Sequence, residues 1–185
     1  WMANRGYAVL SVNYRGSTGF GKNHVNSAIG EWSGKMHDDL IDAVDWAIEK
    51  GIADPDKVAI GGGSYGGYAT LVGVTFTPDK FACGVDIVGP SNLVTLMESF
   101  PPYWRPVLEG TFYRHIGDPA KPEDRERIVA QSPLTHVDEI KVPLLIGQGA
   151  NDPRVTKIEA DQIAGAMQEK NLPVTYLNYT DEGHG

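Results

Sequence analysis

The segment that most restricts how this chain can fold is Val58-Ala-Ile-Gly61 running straight into Gly62-Gly63-Ser64-Tyr65-Gly66-Gly67. A short apolar run that meets glycines on both sides of a serine reads as a strand turning sharply into a helix. Side chains at the flanking positions would clash in such a turn, and the serine is held strained with its hydroxyl clear of the backbone. A serine hydroxyl is a poor nucleophile at neutral pH, so this geometry is useful only with a base close by. The competing reading is a glycine-rich turn with an incidental serine. Against it stand the apolar strand before the motif and the helix-compatible segment 68–76 after it.

The rest of the chain alternates short apolar runs with helical periodicity, the pattern of βαβ units around a parallel sheet. Residues 7–13 read as a first strand and the glycine-rich 14–21 as a loop. Leu40, Ile41, Val44 and Ile48 recur at helical spacing, which predicts a helix over 38–50 stopped by Gly51. Residues 81–88 read as another central strand. From 89 to 122 the sequence is irregular and aromatic, with Pro101-Pro102-Tyr103-Trp104 in its middle. A short helix over 122–130 then precedes a last unit: strand 143–147, helix 156–170 and strand 174–179. The expected architecture is one α/β domain over residues 1–185, a mostly parallel doubly wound sheet with helices on both faces. There is no internal repeat and no linker.

Asp152 lies in Gly149-Ala-Asn-Asp-Pro-Arg154, just past the strand that ends near Gly147. Loops at that edge of an open α/β sheet gather binding and catalytic residues. An acid there can orient a histidine and stabilise the imidazolium, although an aspartate before proline is elsewhere a turn former. His184, in Asp181-Glu-Gly-His184, again follows a strand. The chain order Ser64, Asp152, His184 is the order of α/β-hydrolases and differs from those of the other well-known triad folds. His24, His37, His115 and His136 follow no convincing strand end and read as surface or loop residues.

Composition excludes other classes. A net charge of −8 over 185 residues argues against a nucleic-acid partner, which needs a basic face. No apolar run is long enough to cross a bilayer, so no membrane partner is expected. His37-Asp38-Asp39 sits where acidic residues favour a helix start, and no metal is assigned to it. Gly19-Phe-Gly21 begins a dinucleotide fingerprint, but position 24 is His24 and the motif fails, so no cofactor is expected. The single cysteine, Cys83, rules out an internal disulfide framework and leaves the compartment open. The opening Trp1-Met2-Ala3-Asn4-Arg5 has no signal-peptide pattern and both ends read as cut, so the localisation is unassigned, cytoplasmic only by default.

Taken together, Asn13-Tyr-Arg-Gly-Ser-Thr-Gly-Phe-Gly21, Gly63-Ser-Tyr-Gly-Gly-Tyr68 and Asp181-Glu-Gly-His184 resemble the catalytic domain of the prolyl oligopeptidase family. That family of serine peptidases includes acylaminoacyl-peptidases and dipeptidyl peptidase IV-like enzymes. The resemblance implies Ser64 as nucleophile, Asp152 and His184 as its partners, and the Tyr65 N–H as an oxyanion donor. It also implies Arg154 as a substrate-carbonyl ligand, with a plain surface arginine as the competing reading. Tyr103 and Trp104 are candidates to wall a specificity pocket, against ordinary core or lid packing.

The resemblance further implies a β-propeller, first sheet strands, a second oxyanion donor and a helix after His184, none of which this sequence carries. Loss of one oxyanion donor can cost about 10²–10³ in turnover. The expected activity is hydrolysis of peptide or acylaminoacyl bonds through an acyl-enzyme, with a peptide or small acyl substrate. An esterase or lipase with the same triad, a catalytically impaired hydrolase-fold fragment and a flavodoxin-like binder are the rivals. Unpaired sheet edges make a homo-oligomer a further expectation.

Overall fold

A computed structural model describes all residues 1–185. Four strands form one wholly parallel sheet: β1 (Ala59–Gly63), β2 (Cys83–Ile87), β3 (Leu144–Gly149) and β4 (Val174–Tyr179), in that spatial order. Gly62 is registered opposite Asp86, Asp86 opposite Ile146, and Ile146 opposite Tyr176. The main helices are α1 (Lys35–Glu49), α2 (Tyr65–Phe76), α3 (Leu93–Glu98), α4 (Pro122–Ala130) and α5 (Lys157–Glu169).

Side chains alternate across each strand, so one face carries Leu144 and Ile146 and the other Val85, Ile87, Leu177 and Tyr179. The first face is the core. Leu71 and Val74 of α2 meet Leu144 and Ile146 of β3 and Ile163, Ala164 and Met167 of α5, all buried. Each such Leu, Val, Ile or Met side chain contributes about 1.5–3 kcal/mol by leaving water. Tyr68 and Val72 look the other way from α2 into a second cluster with Leu93, Leu96, Met97, Ile116 and Ile128.

The expectation of helices on both faces is met on one face only. The strands advance in a single direction, β1 to β4, and right-handed crossovers in one direction put every connecting helix on the same side. Val85, Ile87, Leu177 and Tyr179 on the other side are exposed.

Two further expectations are corrected. Residues 7–13 pair with none of the four strands, and Tyr7, Val9 and Leu10 are exposed. Their composition suits a sheet, but a strand exists only through its ladder partner. The stretch 89–122 is not irregular. After α3 it winds through the one-turn helices Pro102–Trp104 and Arg105–Val107, the π-turn Leu108–Phe112 and the turn Tyr113–His115. Pro101, Pro102, Pro106 and Gly110 break this run into pieces too short to display a helical period.

Candidate active site

Ser64 joins β1 to α2 at φ 56° and ψ −116°, a left-handed backbone that a serine adopts only under constraint. The constraint is tight packing. A β-carbon on Gly62 would lie 2.7 Å from the Gly66 carbonyl carbon, so strand and helix can meet this closely only with glycine there. The Ser64 N–H donates to the Ile87 carbonyl at 2.9 Å, which ties the turn to the end of β2.

Asp152 sits in the loop after β3 with its side chain fully removed from solvent. One carboxylate oxygen accepts the Arg154 N–H at 2.8 Å and the Val155 N–H at 3.0 Å. The other accepts the Nδ1–H of His184 at 2.7 Å. The remaining ring nitrogen, Nε2, accepts the Ser64 hydroxyl at 2.9 Å. The imidazole is itself largely enclosed, its side chain 18% exposed. Residues 64, 152 and 184, each past a strand end, therefore form one continuous hydrogen-bonded chain. Such a chain lets an alcohol pass its proton to the ring as it attacks, while the carboxylate holds the tautomer and balances the new charge.

Tyr65 opens α2, and its N–H has no main-chain partner, as expected of a first-turn amide. Its ring packs against Tyr14 and Trp32, with centroids 5.6 and 4.7 Å away, and its hydroxyl meets the Met36 sulfur at 3.5 Å. Burial pushes the Tyr65 phenol well above the usual tyrosine range, so it stays neutral.

The other expected residues are not joined to this chain. Tyr103 is 74% exposed, and Trp104 packs on Phe100 at 5.3 Å. An open cavity of about 510 Å³ beside them is lined by Met97, Phe100, Arg105, Leu108 and Tyr113, with neither aromatic and none of residues 64, 152 or 184. The Arg154 side chain is exposed, whereas its backbone N–H holds Asp152. His24, His115 and His136 bond to the carbonyls of Tyr14, Thr111 and Ala130. His37 departs from the surface reading. It is buried on α1, with Nε2 2.9 Å from the Thr77 hydroxyl, and burial lowers its pKa.

One buried acid gave no signal in the sequence. Asp86 of β2 lies beneath the serine turn, where its carboxyl accepts the Gly89 N–H at 2.9 Å and its second oxygen has no partner. Burial pushes its pKa up to about 8, against the smaller opposing effect of that N–H. No cluster of acids, histidines or cysteines suited to a metal is present, and no helix is long and apolar enough to cross a membrane.

Known proteins match this chain in sequence and in fold. Over its whole length the chain is 64% identical to the dipeptidyl aminopeptidase BIII of Pseudoxanthomonas mexicana and 54% identical to the dipeptidyl peptidase family member 6 of Caenorhabditis elegans. It spans 27% and 25% of those relatives' lengths. A puromycin-hydrolyzing peptidase of Mycobacterium tuberculosis superposes with a TM-score of 0.86 at 34% identity, over 94% of this chain and 25% of that one. The fold is thus that of the α/β-hydrolase peptidases. The sequence model of the Prolyl oligopeptidase family matches residues 1–185, and the chain belongs to that family.

Proposed function

We propose that residues 1–185 are the catalytic α/β unit of a serine peptidase that works through an acyl-enzyme. The observation that carries this reading is the unbroken hydrogen-bond chain from the Ser64 hydroxyl through His184 to the buried Asp152. Ser64 Oγ attacks the scissile carbonyl and passes its proton to His184 Nε2. Asp152 keeps the other ring proton on Nδ1 and stabilises the imidazolium. The N–H of Tyr65, at the positive end of α2, donates to the oxyanion. His184 then protonates the departing amine. Water, deprotonated by the same imidazole, attacks the ester and releases Ser64.

The substrate class is a peptide or blocked aminoacyl group. The 64% identity to a protein named a dipeptidyl aminopeptidase favours release of dipeptides from a free N-terminus.

In the intact protein, a fluorophosphonate probe should form one adduct, on Ser64, and Ser64→Ala should abolish it. Among chromogenic substrates, dipeptidyl nitroanilides should be cleaved with higher kcat/KM than acetyl-aminoacyl nitroanilides. A preference for the blocked substrate would make the enzyme an acylaminoacyl-peptidase, and cleavage of nitrophenyl esters alone would make it an esterase. No adduct on folded protein would overturn the reading and leave a silent hydrolase fold.

A further inference from the structure

The loop that carries His184 has little to hold it. Neither Gly183 nor His184 makes a main-chain hydrogen bond, and the imidazole's two bonds are the ones to Asp152 and Ser64. Asp152, by contrast, is anchored to its own loop by two backbone amides. Something must therefore set how far the histidine loop reaches toward the acid loop.

The contacts that do so come from the three residues before Asp152. Gly149 ends β3 opposite Tyr179, the last residue of β4. Beyond that pair, Ala150 N–H donates to the Tyr179 carbonyl at 2.9 Å, and Asn151 N–H to the Glu182 carbonyl at 3.0 Å. The Asn151 side-chain amide donates to the Thr180 carbonyl at 3.2 Å. At Gly149 itself the approach is closer still. A β-carbon there would overlap the Gly183 carbonyl oxygen and lie 2.7 Å from that of Glu182. The carbonyl next to His184 thus rests on a bare α-carbon, and the loop is pinned two and four residues ahead of the imidazole.

We propose that Gly149 and Asn151 are positioning residues that fix the reach of the His184 loop toward Asp152 and Ser64; this inference rests on the function proposed above. Gly149 sets the distance by having no side chain, and Asn151 sets the lateral register by gripping two carbonyls of the loop. Neither touches substrate. A side chain at 149 forces the loop back on the order of 1 Å, a misplacement that can cost about 10²-fold in rate.

The test compares Gly149→Ala and Asn151→Asp with wild type in the intact protein. Asn151→Asp keeps size and backbone N–H but replaces the side-chain donor with an oxygen facing the Thr180 carbonyl. Three quantities are read: the rate of fluorophosphonate labelling at Ser64, kcat and KM separately, and the downfield proton resonance of His184 Nδ1–H. Labelling and kcat should fall about 100-fold in Gly149→Ala and about 10-fold in Asn151→Asp, with KM within about threefold and the resonance broadened or lost. A merely structural role would lower the melting temperature while folded protein still labelled at the wild-type rate with its resonance intact. That result in Asn151→Asp, which decides alone if Gly149→Ala does not fold, overturns the proposal. An unlabelled wild type would overturn the peptidase reading instead. The clamp would then be judged by the resonance, whose persistence in both variants would contradict it and whose loss would support it.

Discussion

Two regions of this molecule meet near Ser64 and are built on different principles. The rim of the sheet, where Ser64, Asp152 and His184 sit, is fixed by main-chain hydrogen bonds and glycine contacts: Ser64 N–H to Ile87, Arg154 and Val155 N–H to Asp152, Asn151 N–H to Glu182. The helical excursion between β2 and β3 that carries Tyr103 and Trp104 is held by aromatic packing, in a run from Tyr65 through Trp32, Phe112 and Phe100 to Trp104. Backbone bonds have narrow geometry and fix atoms to tenths of an ångström, as proton transfer requires. Ring contacts tolerate tilt and slide, and suit a wall that must accept differing side chains. Under the function proposed above, chemistry belongs on the first region and the second is the candidate for selectivity.

The largest effect that could break this division is at the acid. Asp152→Asn preserves the two backbone bonds at Oδ1 but presents an amide N–H donor to His184 Nδ1, which favours the wrong ring tautomer. The account predicts a loss of kcat on the order of 10⁴ with KM little changed. Steady-state kinetics on a dipeptidyl nitroanilide checks it, and a drop below about tenfold would show that the carboxylate is not part of the proton path.

The next effect concerns stability, and it sharpens what holds the rim. Asp86 is protonated in the fold up to about pH 8, whereas an unfolded aspartate ionises near 4. With the folded pKa raised, its favourable contribution is full below about pH 4 and drains away as pH rises toward 8. Asp86→Asn keeps an acceptor for the Gly89 N–H and cannot ionise. It should raise unfolding free energy at pH 7 by about 1 kcal/mol or more and flatten the pH dependence between 4 and 8. Urea melts at pH 5 and pH 7 measure both, and equal slopes in wild type and variant would rule out the buried acid.

The smallest effect lies in the excursion. Trp104→Ala should change KM or substrate preference by less than about tenfold and leave the labelling rate at Ser64 intact, since Trp104 contacts Phe100 and not the hydrogen-bonded chain. A hundredfold loss of kcat there would erase the distinction between the regions.

The same division explains how much could be read from the chain alone. The rim was legible because its chemistry is local: Gly62-Gly63-Ser64-Tyr65-Gly66 carries its own turn, and Asp152 and His184 each follow an apolar strand. The excursion was not, because one-turn helices broken by Pro101, Pro102 and Pro106 have no period to detect. Residues 7–13 read as a strand from composition, yet pairing is a tertiary fact. The one-sided helix cover follows from strand order, which periodicity does not encode. Gly149 carries no signal of its own in the sequence, and only the approach of the Gly183 carbonyl gives it a purpose. His37 gave no hint of its burial, since a lone histidine inside an amphipathic helix reads as polar surface.

The most direct test asks whether the three side chains act as a single unit. In the intact protein, kcat/KM for one dipeptidyl nitroanilide would be measured for Asp152→Asn, His184→Ala and the double variant. If the carboxylate works only through the imidazole, the double variant should be no slower than His184→Ala alone, the strong non-additivity expected of groups that share one step. Losses that multiply, with the double variant slower by the product of the two single effects, would show two independent contributions and contradict the account.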